Sequence, residues 1–315
     1  MDILIGGELS GMTVREYLTK NRGFSSRMIK KLKFSDGGIL VNGSFVTVRY
    51  VLKDGDVLSL ATEDRPEDVS PYTLPSEMEI GIIYEDEYVT AVNKPAGMPS
   101  HPSHGHRLDT VSNALAYIYR DKNYVFRPVN RLDRDTSGCM LTSNTRDASY
   151  KMYRAMTEGK IKKTYIAVAD GVPEGESGVI DRPIGRCPTS IITRRVTSPD
   201  DPAGKEAVTE YCVLAEAEGR SLLLLRPLTG RTHQIRVHLA SVGAPVTGDD
   251  LYGKRSELIK RQALHCAVTE FPHPADGRTV TVAAPLPDDM ARLTEELFPE
   301  IDTDSVIERE VLGED

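Results

Sequence analysis

The sequence predicts an α+β protein: a small α/β unit at the N-terminus, then a larger domain whose mixed, largely antiparallel central sheet is flanked by helices and loops. Three observations carry this. Short apolar runs of strand length outnumber helical ones. Their connections are long and irregular, unlike the regular strand–helix alternation of a wound parallel sheet. An acidic, proline-bearing stretch (Glu63, Asp64, Pro66, Glu67, Asp68, Pro71, Pro75) also separates two segments, as a linker does. The divisions expected are 1–61 for the small unit, 62–79 for the linker, 80–300 for the large domain and 301–315 for a loose acidic tail, with weak docking through Val306, Ile307 and Val311 as the alternative.

The elements follow in order. Thr13 with Glu16 three residues later is a capping box at a helix start. A second helix begins at Ser25 or Ser26, with Met28, Ile29 and Leu32 as its apolar face, and Asp36-Gly37-Gly38 stops it. Ile39-Leu40-Val41, the turn Asn42-Gly43 and Ser44-Phe45-Val46 read as a hairpin, because Asn-Gly suits the two left-handed positions of a tight turn. Lys53-Asp54-Gly55-Asp56 makes a further turn into a strand at 57–60. In the large domain, strands are expected at 88–93, 139–143, 164–169, 207–215, 221–227 and 279–283. Helices are expected at 111–119, 146–158 and 233–242. Ala148, Met152, Ala155 and Met156 share one face of the middle helix, and Ile235, Leu239 and Val242 one stripe of the last.

Composition bounds the class. At 315 residues, with 39% hydrophobic and 27% charged residues, the chain suits an ordinary soluble protein of one large and one small domain. No run reaches the roughly 18 apolar residues of a membrane span, and Met1–Gly7 lacks the basic start of a signal peptide. Cys139, Cys187, Cys212 and Cys266 are scattered, without a Cys-x-x-Cys pair, which suits free thiols in a reducing compartment. A cytoplasmic monomer is expected. The net charge of −8 looks wrong for a nucleic-acid partner, but residues 288–315 alone carry −9 and the rest sums to +1. Basic stretches remain at 1–60 and 146–163; such patches attract phosphate, but a solvated charged face is the commoner reading of any one of them, and charge alone leaves the question open.

Motif chemistry narrows the field by elimination. The chain has no Gly-x-x-x-x-Gly-Lys-Ser/Thr, no Gly-x-Gly-x-x-Gly opening a helix and no Gly-x-Ser-x-Gly elbow. His-Glu-x-x-His is absent, and His233 and His238 are poorly spaced to share a metal. What stands out is Asn130-Arg131-Leu132-Asp133-Arg134-Asp135-Thr136-Ser137-Gly138, a loop leading into an apolar strand. Arg131 and Arg134 would favour the ionised carboxylate of Asp133. Such a carboxylate can serve as a nucleophile or electrostatic stabiliser at a carbon centre. By spacing alone it could equally be a structural salt bridge.

Two resemblances settle the expectation. Ser25–Lys31, followed by Gly38-Ile39-Leu40-Val41-Asn42-Gly43 and Gly55-Asp56-Val57, resembles an S4 domain, a small RNA-binding module. Arg27, Lys30 and Lys31 at helical spacing would line one phosphate track. In the large domain, the Asp133 run resembles the central motif of the RluA/RluD family of pseudouridine synthases. The similarity continues in Asn93–Pro102, in Lys162–Ala167, and in Leu228-Thr229-Gly230-Arg231-Thr232-His233-Gln234-Ile235-Arg236-Val237-His238-Leu239. Gly248-Asp249, Leu251-Tyr252-Gly253, Leu264-His265 and Phe271–Pro274 follow in register. One departure is Asn130, where the family usually has histidine; it is expected to alter how the loop is held.

The resemblance implies the pseudouridine synthase fold and isomerisation of specific uridines in structured RNA. Large-subunit ribosomal RNA is the expected substrate and tRNA the alternative. It implies Asp133 as the catalytic nucleophile or initiator of elimination, and Tyr165 as stacking on the base and helping to handle its proton at C5. Arg236, or else Arg231, would pair with Asp133, and Arg131 would fill the stack the flipped base leaves. No metal and no cofactor are expected, since the reaction is an isomerisation. Two other readings remain open at this stage: a non-catalytic RNA-binding or ribosome-assembly factor, and a glycosidase-like hydrolase using Asp133 with Asp135. Arg194 and Arg195 are read as belonging to a solvated loop, with an RNA clamp as the alternative.

Overall fold

The structure, a computed structural model, describes residues 1–24, 26–35, 37–61, 64 and 68–312. The first unit comprises β1 (Asp2–Leu4), α1 (Val14–Glu16), α2 (Ser26–Phe34), β2 (Ile39–Val41), β3 (Ser44–Phe45) and β4 (Val57–Leu60). The four strands pair antiparallel in the order β1-β4-β2-β3. The Thr13 hydroxyl accepts from Glu16 N (3.2 Å) while the Glu16 carboxylate accepts from Thr13 N (2.9 Å), so the capping box forms. Asn42 (φ 51) and Gly43 (φ 75) are both left-handed, as a twist-matched two-residue turn requires. Asn42 also bonds Asp56 and Val57 through its side-chain amide, tying the hairpin to β4. Ile29 and Leu32 of α2 are buried; Met28 is half-buried. The stop expected at Asp36 lies outside the described residues, but Gly37, just beyond the helix, takes a φ of +61.

The large domain runs through β5 (Gly81–Glu85), β6 (Val89–Lys94), α3 (Val111–Ile118), β7 (Ser137–Ser143), α4 (Arg146–Thr157), β8 (Lys162–Asp170) and β9 (Ser177–Asp181). It continues with β10 (Ile184–Arg186), β11 (Arg194–Val196), β12 (Val208–Ala217), β13 (Arg220–Pro227), α5 (Gln234–Ser241), β14 (Leu264–Pro272), β15 (Thr279–Ala283), α6 (Asp288–Leu297) and α7 (Thr303–Leu312). The main sheet has nine strands in the order β5-β6-β7-β14-β8-β13-β12-β9, with β15 also paired to β14. Only β7–β14 is parallel, so the sheet is mixed and largely antiparallel, as expected. β10 and β11 form a separate hairpin. Among the described residues, no helix is long and apolar enough to cross a membrane.

β7 is buried along its whole length, which places its leading loop over the middle of the sheet. Gly138 makes that junction possible. At φ +110, a Cβ there would fall 2.2 Å from the Cys266 carbonyl oxygen of β14, so any larger residue would push the two strands apart.

Beside this junction His265 is fully buried, with Nδ1 2.9 Å from Ser137 Oγ and Nε2 3.0 Å from Ala284 O. A carbonyl can only accept, so Nε2 carries a hydrogen. Burial pushes its pKa from 6.5 down to about 4, with the Ala284 carbonyl pulling weakly the other way. Between those values the unfolded chain binds a proton that the folded chain refuses. Stability is therefore full above pH 6.5 and falls as the pH drops towards 4, by up to about 3 kcal/mol from this group. Urea titrations at pH 8, 6 and 5 should show it, with a shallower pH slope for His265→Gln. An equal slope in the variant would refute the assignment.

Two expectations change, one on the C-terminal stretch and one on the inner face of α4. The stretch 301–315, expected to be a loose tail, is helical to Leu312. Val306 and Ile307 are buried in the main core, and Glu310 accepts from Arg226 and Thr164. Its apolar residues recur at helical spacing, and burying them ties down the acidic segment. The basic stretch 146–163 is a solvent-facing surface whose cations are largely ion-paired. Lys151 pairs with Asp147, Arg154 and Lys160 with Glu158, and Lys162 with Glu270. Arg146 pairs with Asp64 and Asp68 of the expected linker, Arg127 with Asp64, and Lys31 of α2 with Asp68. The acids of the linker thus fasten the small unit to the large one, helped by Arg22–Asp147 (3.2 Å) and by Phe24 edge-on to Tyr150. On α4, Ala148, Met152 and Ala155 are buried, but Met156 is exposed.

Candidate active site

The loop carrying Asp133 is held from three sides. Asn130, buried, accepts from Leu141 N through Oδ1 (2.7 Å) and reaches Cys139 O through Nδ2, so it pins the loop to β7. The departure from histidine at this position therefore still provides an anchor. The Ser100 hydroxyl donates to Leu132 O (2.9 Å) and accepts from Leu132 N (3.3 Å). Lys94, with no solvent exposure, donates to the carbonyls of Pro95, Met98 and Arg134, each at 2.8 Å. Burial pushes Lys94 down to about 7, against the pull of Asp135 and Asp133. Three carbonyls need three N–H donors, so the ammonium is the form this cage holds. Thr136 N donates to Asp133 O, closing a turn that leaves the Asp133 side chain one-quarter exposed.

The cation that meets Asp133 is Arg236. Its Nη1 lies 3.2 Å from Asp133 Oδ2, while Nε and Nη2 engage Asp249 at 2.6 and 2.8 Å. Asp249 is fully buried and also accepts from Leu251 N and Tyr252 N. A bidentate clamp of this kind fixes the guanidinium plane before anything binds. Burial works against the charge of Arg236, but Asp249 and then Asp133 more than offset it and raise its pKa above the usual arginine range.

The alternatives for this partner do not hold. Arg231 is exposed and donates to Glu206 O (2.8 Å), and Arg134 turns outward to Asp135. Arg134, next to Asp135 in the loop, finds that nearer carboxylate, and the cation beside Asp133 is Arg236 instead. Arg131 is exposed at the loop's outer face.

The block 228–239 divides into residues that hold and residues that face the site. Gln234 accepts from Thr229 Oγ1 and Arg231 N, and donates to Val208 O and Thr209 Oγ1. His238 lies between Thr209 Oγ1 and Arg182 O. Ile235 and Leu239 face the core, while Val242 is only half-buried. His233, just before α5, is left-handed (φ 57), and its Nε2 lies 3.9 Å from Asp133 Oδ2. Its Nδ1 is 2.8 Å from the hydroxyl of Tyr252, whose ring lies 5.2 Å from the Arg236 guanidinium. That hydroxyl also accepts from Arg194 N (2.8 Å), so the β10–β11 hairpin borders the site rather than standing off as a solvated loop. Arg195 pairs with Asp201.

Tyr165 on β8 is 7% exposed. Burial, with Cys266 and Asp133 nearby, holds its hydroxyl well above the usual phenol range, so it is a neutral phenol at physiological pH. In the small unit, Lys30 is exposed and Lys31 pairs with Asp68; the side chain of Arg27 lies outside the described residues. His233, Asp249, Tyr252 and Lys94 complete the constellation and carry no role in the sequence reading. Their signal was present as spacing, since all four fall within the recognised blocks.

Comparison with known proteins gives the context. The family described as RNA pseudouridylate synthase matches residues 88–241. A Bacillus subtilis protein named uncharacterized RNA pseudouridine synthase YjbO is 40% identical over 284 residues, 90% of this chain and 98% of its own. Ribosomal large subunit pseudouridine synthase D of Vibrio cholerae is 36% identical over 276 residues, covering 82% of this chain and 83% of its own. The solved structure of human RNA pseudouridylate synthase domain containing 1 superposes with a TM-score of 0.57 at 30% identity, covering 66% of this chain and 84% of its own.

Proposed function

The chain belongs to the RNA pseudouridine synthase family, and from that premise we propose that it isomerises uridines of large-subunit ribosomal RNA, with Asp133 as the residue that attacks or initiates elimination at the sugar. The reaction breaks the N1–C1′ bond, turns the detached base and joins C5 to C1′, after which the C5 proton leaves. The observation that carries the role of Asp133 is its oxygen set 3.2 Å from an arginine that a buried carboxylate holds in place. A carboxylate so oriented is presented to the ribose without having to search for its geometry.

Tyr165 forms a wall for the base. As a neutral phenol it can stack and donate a hydrogen bond, and its burial argues against a standing phenolate base. Extruding a base from folded RNA costs a few kcal/mol, and Arg131, exposed on the same loop, has the planar cation to take its place in the stack. The four-stranded N-terminal unit with Lys30 on α2 acts as the S4-like RNA-binding module, alongside Arg27, Lys31 and Arg231. Ribosomal RNA is favoured over tRNA because relatives of this similarity carry ribosomal large subunit in their names.

The test is release of tritium from RNA labelled at uridine C5, offered as large-subunit rRNA or as tRNA transcripts. Release from the first alone is expected. Release only from tRNA would overturn the substrate, RNA binding without release the activity, and free uracil would indicate hydrolysis.

A further inference from the structure

The role of Asp133 leaves a neighbouring chain of hydrogen bonds without a purpose. Arg194 N on β11 can only donate, and it donates to the Tyr252 hydroxyl at 2.8 Å. The phenol oxygen, having accepted, has its own hydrogen to give, and His233 Nδ1 stands 2.8 Å away. Given to Nδ1, that hydrogen leaves the ring's own on Nε2, the nitrogen 3.9 Å from Asp133 Oδ2. His233 holds a left-handed backbone conformation (φ 57) at the start of α5, a setting the surrounding structure must maintain.

We propose that His233 is a positioning residue for Asp133: locked by Tyr252 as the neutral Nε2–H tautomer, it directs one N–H at the carboxylate and couples it to the β10–β11 hairpin. The proposal rests on Asp133 being the attacking group. The distance exceeds a hydrogen bond, so Asp133 is oriented by the N–H dipole without being engaged by it. An imidazolium would instead form an ion pair with Asp133 and weaken its attack. Every packed element bears on the ring's charge: Asp133 from the 130–136 loop, Arg236 from α5, Arg194 from β11, and Asp249 and Tyr252 from the loop after α5. Burial disfavours the charged ring; Asp133 favours it, and Arg236 and Arg194 oppose it. Turnover should therefore fall on the acid side, as the pH drops through a value below the ordinary 6.5. The hairpin contributes a backbone N–H, so movement of β11 when RNA binds would be felt at Asp133 through two hydrogen bonds.

The first measurement is made on the wild-type full chain with nitrogen-15-labelled histidine. NMR should show His233 with an unprotonated Nδ1 and a protonated Nε2; the opposite tautomer overturns the proposal whatever the enzyme does to RNA. The second uses steady-state tritium release. His233→Phe should lower kcat on the order of 10- to 100-fold with KM little changed, as loss of orientation does. His233→Gln, whose amide supplies both an acceptor and a donor, should recover much of that loss and remove the acid limb. Tyr252→Phe should lower kcat and give a mixture of tautomers. Wild-type rates in His233→Phe, or an unchanged acid limb in His233→Gln, would sink the idea. A wild type that releases no tritium would instead fault the activity itself, leaving the tautomer result to stand or fall alone.

Discussion

Asp133→Asn should abolish tritium release while leaving the chain folded and able to bind RNA. The asparagine oxygen can still accept from Arg236, and Arg236 keeps its clamp to Asp249, so no buried charge is stranded. Asp133 is one-quarter exposed, and what its charge adds to stability through Arg236 is on the order of 1 kcal/mol. The rate is another matter. An amide neither attacks C1′ nor takes a proton from the sugar, and removing a reacting group that works with its partners costs on the order of 10^4-fold or more. The decisive comparison is single-turnover rate beside thermal melting and RNA affinity by anisotropy. Unchanged affinity and melting with no release is the expected outcome. Release within tenfold of wild type would move the chemistry to another group.

What the sequence made legible depended on what each residue does physically. Elements with strong local signals were found where expected: the Thr13 box, the Asn42-Gly43 turn and the strand after Gly138 all answer to short-range rules. β1, β10 and β11 are three residues each, too short for any periodicity; β1 gains its order from β4, far along the chain, and β10 and β11 from each other. β14 is a longer miss. It lies centrally between β7 and β8, and a strand buried on both faces reads as an apolar run that a helix could equally use.

The site shows the same division. Asp133 and Arg236 stood out within recognised blocks, yet spacing could not say which arginine reaches the aspartate. Arg134 and Arg231 are nearer in sequence to Asp133 or to the same motif, but their own neighbours, Asp135 and the Glu206 carbonyl, claim them. The acidic tail misled because its charge was given more weight than the docking its apolar residues offer, and Val306 and Ile307 are buried in the core.

Arg236→Met should be the most destabilising single change at the site, and it separates two jobs of one residue. With the guanidinium gone, Asp249 has no exposure and keeps only the amides of Leu251 and Tyr252 for its charge. Breaking one side of a buried pair costs about 3–5 kcal/mol, to be read as a fall in the urea midpoint at constant slope. Turnover should fall as well, since Asp133 loses its one close cation. Replacing both partners, Arg236→Met with Asp249→Leu, removes the stranded charge and should return most of the stability, because an apolar pair of similar volume is often no worse than a buried ion pair. It should not return the activity. Stability regained without turnover would show that the clamp serves to orient Asp133 rather than to hold the fold. Turnover regained along with stability would mean that Arg236 matters only as the partner of Asp249, and the orienting role would have to pass to His233.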